Sequence, residues 1–372
     1  MGPSWATSRD PLSSSAVIAA LMSKTELEEA PMTIVVGLDV HREQITFDAL
    51  DTETGEVRCG RIRPADRQSF RRFLGRFDGE RVEAALEATT GWRFIVEELQ
   101  AAGATAHLAE PAETRSLRGR KRRAKTDRLD ARHLRDLLLE GRLPESWIPP
   151  EHIRELRSKV RLRKTLVDER SAWQQRIQAQ LFHHGVPKAA RLLTPARRAQ
   201  LTQLELPDSA RSAIATALAL IDHINEQLAP LEAELRSFAR RQPGCLALQG
   251  HFGIGELTSV AILAELGDAR RFSSSRHAVR FAGLDVTVSQ SDQSRAPGKL
   301  SHQGPPVLRW AAFEAAQCAW RKNSPDHQYY LETKARLGGK QAALTIARKL
   351  IRRAHHTLRE LGDEALEPVP PT

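Results

Sequence analysis

The chain has only three cysteines in 372 residues, Cys59, Cys245 and Cys318, and none are spaced as a pair. That excludes a zinc ribbon or a stapled secreted domain and fits a reducing cytoplasm. Aromatic residues make up 5% of the chain, which argues against an RNA-reading sheet built on stacked rings. No run is long and apolar enough to span a bilayer. AVIAALM (16–22) is short and has no basic leader, which argues against a signal peptide. Negative charge is also in short supply: 46 acidic residues face 56 Lys and Arg, leaving a net charge of +10. Most of the positive charge is arginine, whose planar fork suits phosphate, so a polyanionic partner gripped through its backbone is expected.

What is present is ordinary folded protein. At 41% apolar and 27% charged, the chain has material for two or three domains. All three methionines, Met1, Met22 and Met32, lie ahead of the first strand, so residues 1–31 read as a disordered upstream extension or a misplaced start. TIVVGLDV (33–40), QITFDAL (44–50) and VRCGRIR (57–63) read as a three-stranded antiparallel meander. Helical spacing follows at 66–77, then a strand at 81–86, a helix at 92–103, a strand at 104–109 and a helix at 126–142 ending at Gly141. This α/β order is that of an RNase H-like domain over residues 32–150, and such sheets bind ligands beyond the ends of their central strands.

Residues 151–242 read as two long amphipathic helices. Leu156, Val160, Val167, Ile177 and Leu181 recur at helical spacing. Ile214, Ala217, Ile221, Ile224, Leu228, Leu231, Leu235 and Phe238 form a heptad seam. An antiparallel coiled-coil pair is expected, with a kink near Pro230, acting as a spacer or as a dimerising element. The mostly helical block 243–361 contains Gly253-Ile254-Gly255 before a helix, resembling half of a helix–hairpin–helix that could offer N–H groups to phosphate. Its last helix carries Arg348, Lys349, Arg352 and Arg353, free for phosphate or for solvent. Residues 362–372 form a tail.

Four carboxylates stand out. Asp39 ends the first strand in GLDVH, and Glu87 ends the fourth in ALEATTGW. Asp127 and Asp130 open the helix of AKTDRLDARHL, just after the basic run RGRKRRAK (118–125), and residues three apart share a helix face. In an RNase H-like sheet all four converge. Carboxylates so close repel one another unless a hard cation such as Mg²⁺ holds them. Each acid also has a structural alternative: Asp39 as a turn residue, Asp127 and Asp130 as a capping pair welcomed by the helix dipole.

With these residues in hand, residues 33–358 resemble the transposases of insertion-sequence family 110, which pair a RuvC-like DEDD domain with a C-terminal serine domain. GLDVH, LEATTGW and KTDRLDA match the first domain's motifs. GIGELTSVAILAELGDARRFSSSRHAVRFAGL (253–284) and GKLSHQGPPVLRWAAFEAA (298–316) match the second. The resemblance implies a DNA recombinase guided by a structured RNA from its own element, with one RNA loop pairing with donor DNA and another with target. It also implies dimers assembling into a tetramer. Asp39, Glu87, Asp127 and Asp130 would hold Mg²⁺, and the nucleophilic serine falls on Ser291 in AGLDVTVSQSDQS. Asp292 stands where the family has glycine, and Val286 where it often has proline, so Ser289 and Ser294 stay open.

Other readings use the same residues. A RuvC-like junction nuclease would need the four acids but hydrolyse with water, without a serine. A sugar-kinase-like ATPase could begin GLDVHREQITFDALDTETGEV, but a second phosphate loop is missing and the basic run argues against it. A non-catalytic nucleic-acid-binding protein would leave the acids unexplained.

Overall fold

Strand β1 (Thr33–Val40) is apolar without alternation, the pattern of a strand covered on both faces. The computed structural model describes residues 33–117, 126–188, 190–286, 289–291, 294–296, 298 and 300–370, with only the backbone for 289–291 and 294–296. The expected extension at 1–31 and the basic run 118–125 lie outside the described residues. Contacts divide the chain into two units, Met1–Ile148 and Pro149–Thr372.

In the first unit β1 is followed by β2 (Ile45–Asp51), β3 (Val57–Ile62), α1 (Arg67–Leu74), β4 (Arg81–Glu87), α2 (Trp92–Ala101), β5 (Thr105–Ala109), a short α3 (Pro111–Ser116) and α4 (Asp127–Leu139). The sheet order is β3-β2-β1-β4-β5. β1–β2 and β2–β3 pair antiparallel, β1–β4 and β4–β5 parallel. The expected element order is therefore present, with α3 added, in a mixed five-stranded sheet.

Alternation divides the sheet's two faces. Ile34, Val36, Leu38, Phe47, Val82, Ala84 and Leu86 pack with Phe70 and Phe73 of α1 and Ile95, Val96 and Leu99 of α2. Asp66 caps α1, its carboxylate accepting from the Ser69 N–H at 2.7 Å. The opposite face carries Val35, Gly37 and Asp39 of β1, and α4 covers it. A Cβ on Gly37 would stand 1.8 Å from the Ala131 carbonyl oxygen, so the helix backbone lies directly on the strand. Leu134 packs on Ala85 and Ala109. Beside them Arg135 of α4 pairs with Asp48 of β2, both buried.

The second unit contains α5 (Glu151–His183), α6 (Pro195–Thr202), α7 (Asp208–Ala239), α8 (Pro243–Gln249), α9 (Glu256–Leu266), α10 (Ser275–Phe281), β6 (Ser289–Ser291), β7 (Ser294–Ala296), α11 (Pro306–Ala316), α12 (His327–Leu337) and α13 (Gly339–Leu361). Cross-links descend in one helix as they rise in the other: Lys159 to Glu234, Arg163 to Glu232, Arg170 to Asn225. The two long helices are thus antiparallel neighbours. Ile177, Leu181, Ile214, Ala217 and Ile221 are buried together, and Leu201 of α6 packs among them. α7 continues through Pro230 as a single helix.

Two readings of the C-terminal block change once packing is seen. Ser259–Leu266 of α9 are all buried, so α9 is a core helix with only its first turn near the surface. Gly253, at φ +91°, lies so near α11 that a Cβ would meet the Ala315 oxygen at 2.3 Å. Gly253 thus has a packing cause, whereas a Cβ on Gly255 would meet nothing, and Glu256 in that first turn already pairs with Arg240 at 2.6 Å. Three of the four cations of α13 are likewise engaged internally. Arg348 donates to the Leu284 carbonyl at 2.6 Å, while Lys349 and Arg353 hold the buried Asp326.

Candidate metal centre

The parallel register sets Leu38 beside Leu86. One step on, Asp39, the last residue but one of β1, and Glu87, the last of β4, stand one strand spacing apart, about 4.8 Å. Both alternate onto the face that α4 covers. α4 begins at this end of the sheet. Its N-cap is Thr126, whose hydroxyl accepts from the Leu129 N–H at 3.3 Å. Asp127 and Asp130 stand in its first turn. The expected capping role therefore falls to Thr126, and the Asp127 carboxylate is used elsewhere.

Its partners come from the β1–β2 turn. Gln44 donates to Asp127 Oδ2 at 3.0 Å. His41 Nε2 lies 3.1 Å from Asp39 Oδ2 and 3.9 Å from Asp127 Oδ1. One ligand atom each from Asp39, His41 and Asp127 falls within a 4.8 Å cluster. Burial raises the Asp39 carboxyl above its ordinary value; His41 pulls against the shift, and the charges of Asp127 and Asp130 add to it. This is a partly enclosed site with excess negative charge, the condition a divalent cation relieves. Hard carboxylate oxygens with an imidazole at the rim form a donor set that fits such an ion.

Of the acids expected from sequence, Asp39 and Asp127 meet in this cluster, Asp130 is close enough for its charge to act on Asp39, and Glu87 ends the neighbouring strand. Sequence reading missed His41 and Gln44. A signal for His41 was available in its spacing two residues from Asp39, although it stands one residue past the end of β1. Gln44 gave none, since its partner Asp127 lies 83 residues away. Ser291 ends β6 and pairs with Ser294 of β7, while Ser289 pairs with Ala296, so the three candidate serines share one short hairpin. The acids belong to the first unit and this hairpin to the second.

No described helix is long and apolar enough to cross a membrane. Comparison with known proteins supplies relatives. A protein of Sinorhizobium fredii named as a transposase, y4rJ, is 27% identical over 86% of this chain and 90% of its own length. A second from that organism, y4qE, is 25% identical over 78% and 72%. The transposase of insertion sequence element IS1111A from Coxiella burnetii is 29% identical over 27% of this chain and 29% of its own. Residues 36–184 match the family model of DEDD-type IS110 transposases, and residues 245–331 match that of the IS116/IS110/IS902 transposase family. Those two matches, in order and together spanning more than half of the chain, place it in the IS110/IS116 family of insertion-sequence transposases.

Proposed function

We propose that this transposase cuts and exchanges DNA strands through a serine nucleophile, with a divalent metal centre at Asp39, Glu87, Asp127 and Asp130. The observation that carries the reading is the meeting of Asp39 with Asp127 at the end of β1. We read the first unit as RNase H-like, on the strength of its strand order with acids at the ends of two adjacent parallel strands. Mg²⁺ bound there would polarise phosphate oxygens and ease charge on attacking and leaving oxygens. The protein's own part is to gather the carboxylates on one side of the sheet and to bring phosphate to them with its arginine surplus.

Ser291 is the proposed nucleophile. Its hydroxyl oxygen attacks phosphorus, one phosphodiester bond is exchanged for a phosphoserine ester, and the hydroxyl proton leaves to balance the departing sugar oxygen. The ester-bond count is unchanged, so strands can be rejoined without ATP. A structured guide RNA supplies sequence choice, and the paired helices α5 and α7 serve assembly into dimers and tetramers. RNA from the element's flanking non-coding region should copurify, and replacing its loops should redirect the target; unchanged targeting would sink the RNA part.

Trapping the reaction with denaturant tests the chemistry. Ser291→Ala should fold and bind DNA yet yield neither cleavage nor a protein–DNA adduct, and peptide mapping of the unaltered protein should place phosphate on Ser291. An adduct on Ser289 or Ser294 would move the nucleophile. Cleavage by Ser291→Ala without an adduct would favour hydrolysis by water.

A further inference from the structure

The amide of Gln44 connects two opposite charges. Its Nε2 donates to Asp127 Oδ2 at 3.0 Å, and its Oε1 accepts from Arg63 Nε at 2.9 Å and from Arg63 Nη2. Chemistry fixes the amide's orientation, because a carboxylate only accepts and a guanidinium only donates. Three segments distant in sequence meet here: the β1–β2 turn, the residue after β3, and the first turn of α4. Chains of this kind polarise one another and hold their members in one geometry.

The spacing has a consequence. A direct Arg63–Asp127 pair would neutralise the carboxylate and block it. With Gln44 between them, Asp127 spends Oδ2 on the amide while Oδ1 faces the cluster, 3.9 Å from His41 Nε2. Arg63 spends Nε and one Nη2 hydrogen on Gln44, and its side chain is exposed, so Nη1 and the second Nη2 hydrogen stay available to a ligand. Among the described residues Gln44 is its only hydrogen-bond acceptor. Acids that gather a metal repel the phosphodiester they must act on, and a guanidinium fork at the rim offsets that repulsion.

We propose that Arg63, braced on Gln44, grips a DNA phosphate at the rim of the acid centre, and that Gln44 is the positioning residue that holds this grip and Asp127 in fixed relation. The inference rests on the metal-centre reading. Mn²⁺ alone probes the carboxylates, measured by calorimetric titration, and a fluorescent single-stranded DNA oligonucleotide with Mn²⁺ present probes the guanidinium. Gln44→Met keeps the length of the side chain but neither hydrogen bond, and should weaken Mn²⁺ binding by about tenfold. Arg63→Ala should change Mn²⁺ affinity less than Gln44→Met does and weaken oligonucleotide binding by about tenfold, as for loss of one charge-assisted contact. Arg63→Lys, which keeps charge but not the fork, should recover part of that loss. Arg58→Ala, on edge strand β3 and paired with Glu56 at 2.8 Å, should match the unaltered protein.

Melting curves confirm that each variant is folded, and Gln44→Ala serves if Gln44→Met is not. Mn²⁺ affinity unmoved by either Gln44 variant, or an Arg63→Ala loss no larger than that of Arg58→Ala, overturns the inference alone. Mn²⁺ binding that is absent, or indifferent to Asp127→Asn, overturns the metal-centre reading and this inference with it.

Discussion

Asp127 sits one position inside α4, and the cap before it is Thr126. The two neighbours therefore predict opposite phenotypes. Thr126→Ala should cost about 1 kcal/mol of stability, the usual loss of a hydroxyl cap. Asp127→Asn should leave the melting temperature almost unchanged and reduce metal-dependent cleavage by roughly 100-fold or more, since it removes charge but not bulk. Full activity in Asp127→Asn would return that aspartate to a structural role. Gly37 is constrained more tightly. A methyl group there collides with the Ala131 carbonyl, which cannot swing aside as a side chain could. Gly37→Ala should cost upwards of about 3 kcal/mol, or lift α4 and its aspartates away from Asp39.

α4 is held to the sheet by close approach at Gly37 and by the Asp48–Arg135 pair, eight residues beyond Asp127. Arg135→Met should cost about 3–5 kcal/mol, because it strands a buried carboxylate. Combining it with Asp48→Leu should restore much of that loss, as measured by a double-mutant cycle of denaturant unfolding. In the second unit, Asp326 ties α12 to Lys349 and Arg353 of α13 at 2.6 Å each. Burial alone would raise its carboxyl, but hydrogen bonds from Arg353 and Lys349 prevail and hold it below 3.8. A depressed folded value means the stabilisation is complete above the unfolded value and lost as pH falls through the lower folded one. Asp326→Asn should therefore cost roughly 2 kcal/mol at neutral pH, discounted because both cations keep about a third of their surface in water. Chemical denaturation at stepped pH should show the gap between the two proteins closing below 3.8.

The whole chain carries a net charge of +10, yet many of its arginines are committed to internal pairs, as α13 shows. DNA binding then depends on those that remain, and it should be strongly salt-dependent. If about six phosphates are neutralised, affinity for a random duplex should fall roughly 10³-fold between 50 and 200 mM salt. A flat response in a fluorescence titration would mean that the basic composition serves the fold and not the nucleic acid.

Composition and periodicity determined the elements. The alternation of β2, the heptad seam of α7 and the caps around α4 depend on neighbours along the chain, and the pattern that codes for them is local. Asp39 and Asp127, which meet in the cluster, could be picked out because one stands near a strand end and the other opens a helix, where a carboxylate beside an apolar run stands out. What each charge does was decided by tertiary structure. Gln44 became a link to Asp127, Arg135 a buried anchor, and Lys349 and Arg353 the counter-charges of Asp326, through partners 83, 87, 23 and 27 residues away. Ionic and amide groups have no periodic signature, and their role is set by whichever group packing brings within hydrogen-bond reach.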